Sequence, residues 1–221
     1  MAPPRPAPDR CRIVLVLPEE LEPGLAAGAL ADAFRGGDVA SVILPPHAMG
    51  ERAYGDHLKA LVPLIQAQGV AAIAVRDLRM ANRMGLDGVH VGPDLEELDD
   101  AMERAGSKLS VGVETPLSRD RALEIGEREP DYVMMGRIGG DTHEAPHDKA
   151  LDLAEWWADM IEIPAIAMAG TDLDGTLDCA ATGAEFVGLS RAIFADPTRT
   201  REMVSRANTM LDQNAPRFSR R

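Results

Sequence analysis

A short apolar run followed by a helical pattern recurs eight times along this chain, and that recurrence limits what it can fold into. CRIVLVL (11–17) precedes an Ala-rich helical stretch at about 21–36, and VASVILPP (39–46) precedes one at about 53–68. In that second stretch Leu58, Leu61, Leu64 and Ile65 fall at helical spacing. AAIAVR (71–76) leads to a short helix around Met80–Met84, and GVHVGP (88–93) leads to one at about 95–105. KLSVGVE (108–114), YVMMGR (132–137), AIAMAG (165–170) and FVGLS (186–190) continue the rhythm. Their helices are expected at about 118–128, 149–160, 173–182 and 197–212. Many of these runs are apolar almost throughout, as strands covered on both faces must be.

Eight such units in 221 residues predict an α/β fold, a single-domain TIM (β/α)₈ barrel. A doubly wound open sheet is the alternative, although it usually stops at about five to seven strands. The barrel is placed at residues 11–213, between a Pro-rich N-terminal tail (1–10) and a basic C-terminal tail (214–221). The lead-in MAPPRPAPDR has four prolines and no apolar core, so it reads as disordered and not as a secretory leader.

Composition narrows the partners. A net charge of −13 with no compensating basic stripe argues against nucleic acid and against an anionic membrane surface. No apolar run approaches the roughly 18 residues of a membrane helix. The two cysteines, Cys11 and Cys179, have no metal-ligand spacing and fit a reduced, cytoplasmic setting. Hydrophobic residues make up 45% of the chain and aromatics only 4%, so Ala, Val, Ile, Leu and Met must fill the core. At least one of Trp156 and Trp157 is expected in the core, the other covering a neighbouring helix or a subunit contact, and Met134 and Met135 are expected as barrel and shell fillers.

In a (β/α)₈ barrel the chemistry sits at the C-terminal ends of the strands, with phosphate held after strands seven and eight. AMAGTD (167–172) and VGLSRAIF (187–194) fall there, making Gly170, Thr171, Gly188 and Ser190 candidate phosphate ligands. The same glycines would also serve tight turns, and Ser190 would also serve as a helix cap. Asp77 and Asp94 follow strands three and four and could share Mg²⁺. Asp94 is equally a natural N-cap, with Glu97 completing a capping box. Arg76 and Arg137 stand at strand ends, where guanidinium forks suit phosphate oxygens.

His143-EAPH-His147 has the H-E-x-x-H form of zinc proteases, but Pro146 and the flanking Gly139, Gly140 and Asp141 mark a loop, not a helix. That loop is expected to lie over the barrel mouth, with Lys149 at its far end able to meet an anion. His90, within strand four, is expected to be packed and hydrogen-bonded.

Five segments carry a family resemblance: Leu86-DGVHVGPD-Asp94, Leu109-SVGVE-Glu114, Asp131-YVMMGRI-Ile138, Ile163-PAIAMAG-Gly170 and Gly183-AEFVGLSRAIF-Phe194. They resemble, in order and spacing, the ADGVHLGQ, LGVS, ADYVGLGPI, PVVAIGG and GADGVAVVSAI segments of the thiamine phosphate synthase/TenI family. The likeness covers roughly residues 38–195. It implies a transferase that joins a pyrimidine methyl pyrophosphate to a thiazole phosphate, with Mg²⁺ assisting the departure of pyrophosphate. A phosphorylated small-molecule substrate and a homodimer are implied by the same resemblance.

Several family positions are altered. The Q-x-R-x-K of strand two maps onto Ile43, Pro45 and His47, and the N-D-R after strand three onto Val75, Arg76 and Asp77. The second metal carboxylate aligns with Leu95, one residue after Asp94, and Glu114 replaces the Ser after L-G-V. The T-x-T-K loop becomes GGDTHEAPHDK, in which Lys149 stands in for the lysine only after realignment. His47, Arg76, Glu114, Arg137 and Lys149 are therefore the substrate-binding candidates, and no catalytic residue is assigned. The family's sister reaction, thiazole tautomerisation, expects a histidine soon after L-G-V-S, and 114–120 offers none. Two functions stand against each other: a synthase, or a catalytically altered barrel that binds a phosphorylated metabolite.

Overall fold

Parallel strands cannot be joined by tight turns, so each apolar run must be followed by a crossover long enough to return to the same end of the sheet. The computed structural model, which describes residues 8–218, meets that requirement seven times, once between each pair of successive strands. The strands are β1 (Arg12–Val16), β2 (Ser41–Leu44), β3 (Ala71–Val75), β4 (Gly88–Val91), β5 (Ser110–Thr115), β6 (Tyr132–Met135), β7 (Ala165–Met168) and β8 (Phe186–Leu189). They pair in sequence order, each parallel to the next, and β8 pairs with β1 to close the barrel. The crossovers carry α1 (Pro23–Gly36), α2 (Glu51–Gln66), α3 (Leu78–Met84), α4 (Leu95–Ala105), α5 (Arg119–Gly126), α6 (Asp148–Met160) and α7 (Gly175–Ala181).

After β8 the helix expected at about 197–212 is preceded by a further short one. A short α8 (Arg191–Phe194) is followed by a 3-10 turn (Pro197–Arg199) and then by α9 (Thr200–Asn214). Pro197 cannot donate into a preceding helical turn, and the Asp196 carboxylate accepts the Thr198 N–H (3.0 Å), so the chain restarts there.

Strand alternation divides the core into two layers. Val14, Val16, Ile43, Ile73, Met134, Ile166 and Met168 fill the barrel interior. Their neighbours Ile13, Leu15, Val42, Ala72, Val133 and Met135 point outward into the shell beneath the helices. Trp157 is wholly buried in that shell and donates from Nε1 to the Ile163 carbonyl (2.7 Å). Trp156 is half-buried, with the Arg119 guanidinium 5.0 Å from its ring centroid. Cys11 and Cys179 are both buried and free, and burial pushes the Cys11 thiol up to about 12.

The bottom of the barrel holds a pattern that hydrophobic periodicity did not reveal. Each even-numbered strand is preceded by an acid. Asp87, Asp131 and Glu185 accept the backbone N–H of Ala72, Val111 and Ala165 at 2.8, 2.7 and 3.0 Å, respectively, tying the odd strand before them. Before β2 the acid is Asp38, which makes a two-pronged pair with the Arg12 guanidinium (2.8 Å each). A carboxylate on a backbone N–H is a charge-assisted bond, stronger than a neutral one.

Two residues at the expected domain edges make contacts with the barrel's last helix and with each other. Arg10, assigned to the N-terminal tail, is 2% exposed and donates to Asp212, Asn208 and the Cys11 carbonyl at 2.8–3.0 Å. Arg217, assigned to the C-terminal tail, bridges to Arg10 through the backbone and pairs with Asp9 (2.8 Å). A buried guanidinium requires partners on all sides, and α9 supplies them. Residues 1–7 and 219–221 of the proposed tails lie outside the described residues. No helix among the described residues is long and apolar enough to cross a membrane.

Gly112 shows how tightly the interior is specified. The Tyr132 ring lies where a side chain at 112 would begin, so Gly112→Ala must push that ring aside. We expect a loss of about 1–3 kcal/mol, read as a fall in thermal midpoint. Gly28→Ala, on the exposed face of α1 with open space at the new methyl, should instead gain roughly 0.5–1 kcal/mol.

Candidate functional site

The strand C-terminal ends converge on one rim, and a cavity of about 770 Å³ opens there between the ends of β4 to β7. Its floor and walls include Glu114, Thr115, Met168 and Gly170, with Arg137, His143 and His147 around the opening. Residues 140–148 form one side, so the segment read as a loop over the mouth does lie there. His147 is the N-cap of α6: its Nδ1 accepts the Lys149 N–H (3.2 Å). His143 stays in irregular backbone ahead of it, so the two histidines do not share a helical face.

Of the sequence candidates, Glu114, Arg137 and Gly170 come together at this cavity. Glu114 is on the inward face near the end of β5, and its carboxylate accepts the Ile138 N–H (3.0 Å), bracing the start of the loop. Arg137 is exposed beside it. Lys149 is exposed in the first turn of α6 and does not line the cavity. His47, with φ of 46°, donates from Nε2 to the Leu17 carbonyl (2.9 Å) on the opposite side of the mouth.

Arg76 takes a left-handed backbone (φ 55°), unusual for a residue with a side chain. That turn lays its guanidinium across Gly92, where any side chain on residue 92 would collide with it, and brings Nε to 3.7 Å from Glu97. The strand-three and strand-four ends thus carry a fixed cation. Asp77 and Asp94 both cap helix starts through Oδ1: Asp77 accepts the Met80 N–H (2.8 Å) and Asp94 the Glu97 N–H (2.9 Å). Leu95, at the position where the resemblance implies a carboxylate, packs against the helix–sheet core. Among the described residues no three His, Cys, Asp or Glu side chains come together as a metal site. With a guanidinium at these ends and both acids engaged in caps, the residues do not fit a preformed Mg²⁺ site.

The turns after β7 and β8 are also engaged. The Thr171 and Asp172 N–H groups donate to the carbonyls of His143 (2.8 Å) and Glu144 (3.1 Å). Gly170 has no side chain because the backbone of residues 143–145 is seated directly on it. Gly188 lies within β8, where an added methyl would meet the Met168 sulfur at 2.8 Å. Ser190 is 1% exposed, and its hydroxyl makes no capping bond to α8. The Arg191 N–H donates to Asp141 Oδ2 (2.8 Å), and Arg191 Nη1 donates to Oδ1 (2.6 Å). Hydrogen bonding to Glu20 and the nearby Asp141 charge push the Arg191 pKa upward.

Asp141 and Arg191 did not stand out in the sequence as partners, because 50 residues separate them. The signals were there singly: an acid inside a Gly-Gly turn, and a basic residue just after the eighth strand. Thr115 was also missed; its Oγ1 is buried at the cavity without a hydrogen-bond partner among the described residues.

His90 is packed and hydrogen-bonded, as its position within strand four suggested. It is fully buried in the barrel, with Nδ1 3.1 Å from the Tyr132 hydroxyl and the two rings stacked at 5.7 Å. Its Nε2 has no partner among the described residues.

Comparison with known proteins follows the barrel closely. The protein-family model for thiamine monophosphate synthase (TMP-TENI) matches residues 13–193. A thiamine-phosphate synthase of Rhodospirillum centenum is 31% identical over 202 residues, covering 91% of this chain and 98% of that protein. One of Erythrobacter litoralis is 32% identical over 142 residues, 63% of this chain and 67% of that protein. Among solved structures, a thiamine phosphate pyrophosphorylase from Pyrococcus furiosus superposes with a TM-score of 0.78 at 18% identity. It covers 93% of this chain and 97% of that one, a likeness of fold.

Burial, with a smaller contribution from the Arg76 charge, lowers the His90 pKa from 6.5 to about 3, so the imidazole is neutral in the folded protein. Below pH 6.5 the unfolded chain takes up a proton that the folded one refuses, and stability falls as pH drops toward 3. Denaturant titrations across that range should show a shallower decline for His90→Phe than for the wild type. An equally steep decline in both would assign the acid sensitivity elsewhere.

Proposed function

The chain belongs to the thiamine monophosphate synthase family, and from that premise we propose that it joins a pyrimidine methyl pyrophosphate to a thiazole phosphate. The observation that carries this reading is the extent of the match, from β1 through α8, which takes in every strand end at the mouth. In the reaction the thiazole nitrogen forms a bond to the pyrimidine methylene carbon. The carbon–oxygen bond to pyrophosphate breaks, and pyrophosphate leaves with the electron pair. The demand on the protein is charge neutralisation at the leaving group and exclusion of water from a carbocation-like centre.

The cavity at the mouth, with Pro93, Leu117 and Met168 among its apolar walls, suits a flat heterocycle. Arg137 and Arg76 are the cations at the strand ends that would face its phosphates. Mg²⁺ assistance, implied by the family, would meet the Arg76 guanidinium at the ends that carry Asp77 and Asp94, and we place it away from these two acids. Gly170, Thr171, Gly188 and Ser190 remain the phosphate-binding candidates, reached once residues 143 and 144 release the N–H groups they cover.

A second reading, an altered barrel that binds a phosphorylated metabolite without joining two substrates, is favoured by one observation. Arg76 and Leu95 stand where the resemblance implies metal carboxylates, and Asp77 and Asp94, each one residue away, cap helices. The two readings separate in one assay. Purified protein with both substrates and Mg²⁺ should release pyrophosphate and form thiamine phosphate. Arg137→Ala should lower kcat/KM by roughly 10- to 100-fold, the worth of one charged hydrogen bond. Asp94→Ala should cost about 1 kcal/mol of stability and leave the Mg²⁺ dependence unchanged. Binding of thiazole phosphate with no pyrophosphate release would abandon the first reading for the second.

A further inference from the structure

Asp141 is 2% exposed, with its side chain wholly buried, although residues 142–145 after it are all exposed. A carboxylate is buried at high cost unless it is paired and hydrogen-bonded. Arg191 meets that need twice, its N–H holding Oδ2 (2.8 Å) and its Nη1 holding Oδ1 (2.6 Å), and Nη1 also reaches the Asp141 backbone carbonyl (3.2 Å). A second acid, Glu20, holds the outer edge of the same guanidinium through Nη2 (2.7 Å) and Nε (3.1 Å). Two and three residues beyond Asp141, the carbonyls of His143 and Glu144 take the first N–H groups after β7. The turns after strands seven and eight, where a barrel of this kind ordinarily holds phosphate, are thus filled by the chain's own anion and carbonyls.

We infer that Asp141 is a built-in anion occupying the phosphate position at the β7–β8 end, and that a substrate phosphate enters only by displacing residues 141–144. The Arg191 N–H and Nη1 that hold the Asp141 carboxylate cannot serve a phosphate oxygen at the same time, so the closed segment and a phosphate on those donors are mutually exclusive. Displacement returns the donors of Thr171, Asp172 and Arg191 to the ligand together, and a phosphate oxygen can take each of them. The segment has the means to move: Gly139 (φ 72°) and Gly140 precede it, while Pro146 against Gly175 and the His147 cap of α6 hold its far end. Asp141 is therefore a specificity-determining residue, which sets how strongly a phosphate must bind before it is admitted. This follows whichever reaction the barrel carries.

The test is phosphate binding without a second substrate, so its outcome is separate from that of the condensation assay. Inorganic phosphate and thiazole phosphate are titrated calorimetrically into the wild type and into Asp141→Asn and Asp141→Gly, with thermal unfolding run on each. Removing the resident charge should tighten phosphate binding by about 10-fold or more, because the competent state no longer has to be opened. Binding to the variants that is no tighter than to the wild type, or absent, overturns the inference. Should neither variant fold, hydrogen exchange on the wild type decides. Saturating phosphate should speed exchange across residues 139–144 while Thr171 and Arg191 stay protected. Phosphate bound with that segment's exchange unchanged overturns the inference as well.

Discussion

Closure of the sheet between β1 and β8 is the constraint on which everything else rests. Arg12, Ile13, Val14 and Leu15 pair with Phe186, Val187, Gly188 and Leu189, and no strand edge remains open. Because all eight strands run parallel, closure brings eight chain exits to one rim and eight entries to the other. The exits carry Arg76, Glu114, Arg137, Gly170 and Ser190. The entries carry the acids that tie the bottom together and the buried Arg10 that seals it against α9. One rim is thereby left to stability and the other to chemistry.

At the chemical rim, groups that could serve a ligand also serve the fold. Asp77 and Asp94 end as helix caps, Glu114 as the anchor of the segment after β6, and the N–H groups after β7 as acceptor-bound donors. Each bond satisfies a polar group that the barrel would otherwise leave buried or exposed at a helix end. The same economy makes the mouth responsive: a ligand that brings its own oxygens can replace contacts the chain makes with itself. An arginine lies across Gly92, and a buried aspartate pairs with Arg191, so the charges at this rim are held by the chain's own contacts.

Much of the fold was legible because it depends on periodicity. The eight apolar runs, the interior position of Met134 beside the outward Met135, a core tryptophan at 156 or 157 and the Asp94 cap all follow from local pattern. The break after α8 was also written locally, in Asp196 and Pro197, but was passed over because the downstream helical pattern is strong. Arg10 and Arg217 were read as tail residues because charged residues beside prolines resemble solvated ends. Only the nearness of α9 to the chain start gives them partners.

The sequence by itself determined that eight strand–helix units would close into a barrel, because hydrophobic spacing and turn residues act over a few positions. It also determined the family, since five segments carry that likeness in order. Only the tertiary structure decided what the rim carries. The left-handed turn at Arg76 swings a cation across the end of the next strand, and the pairing of Asp141 with Arg191 joins residues 50 positions apart. Those contacts are set by barrel closure, which brings the ends of β6 and β8 to one rim. No local pattern encodes that distance.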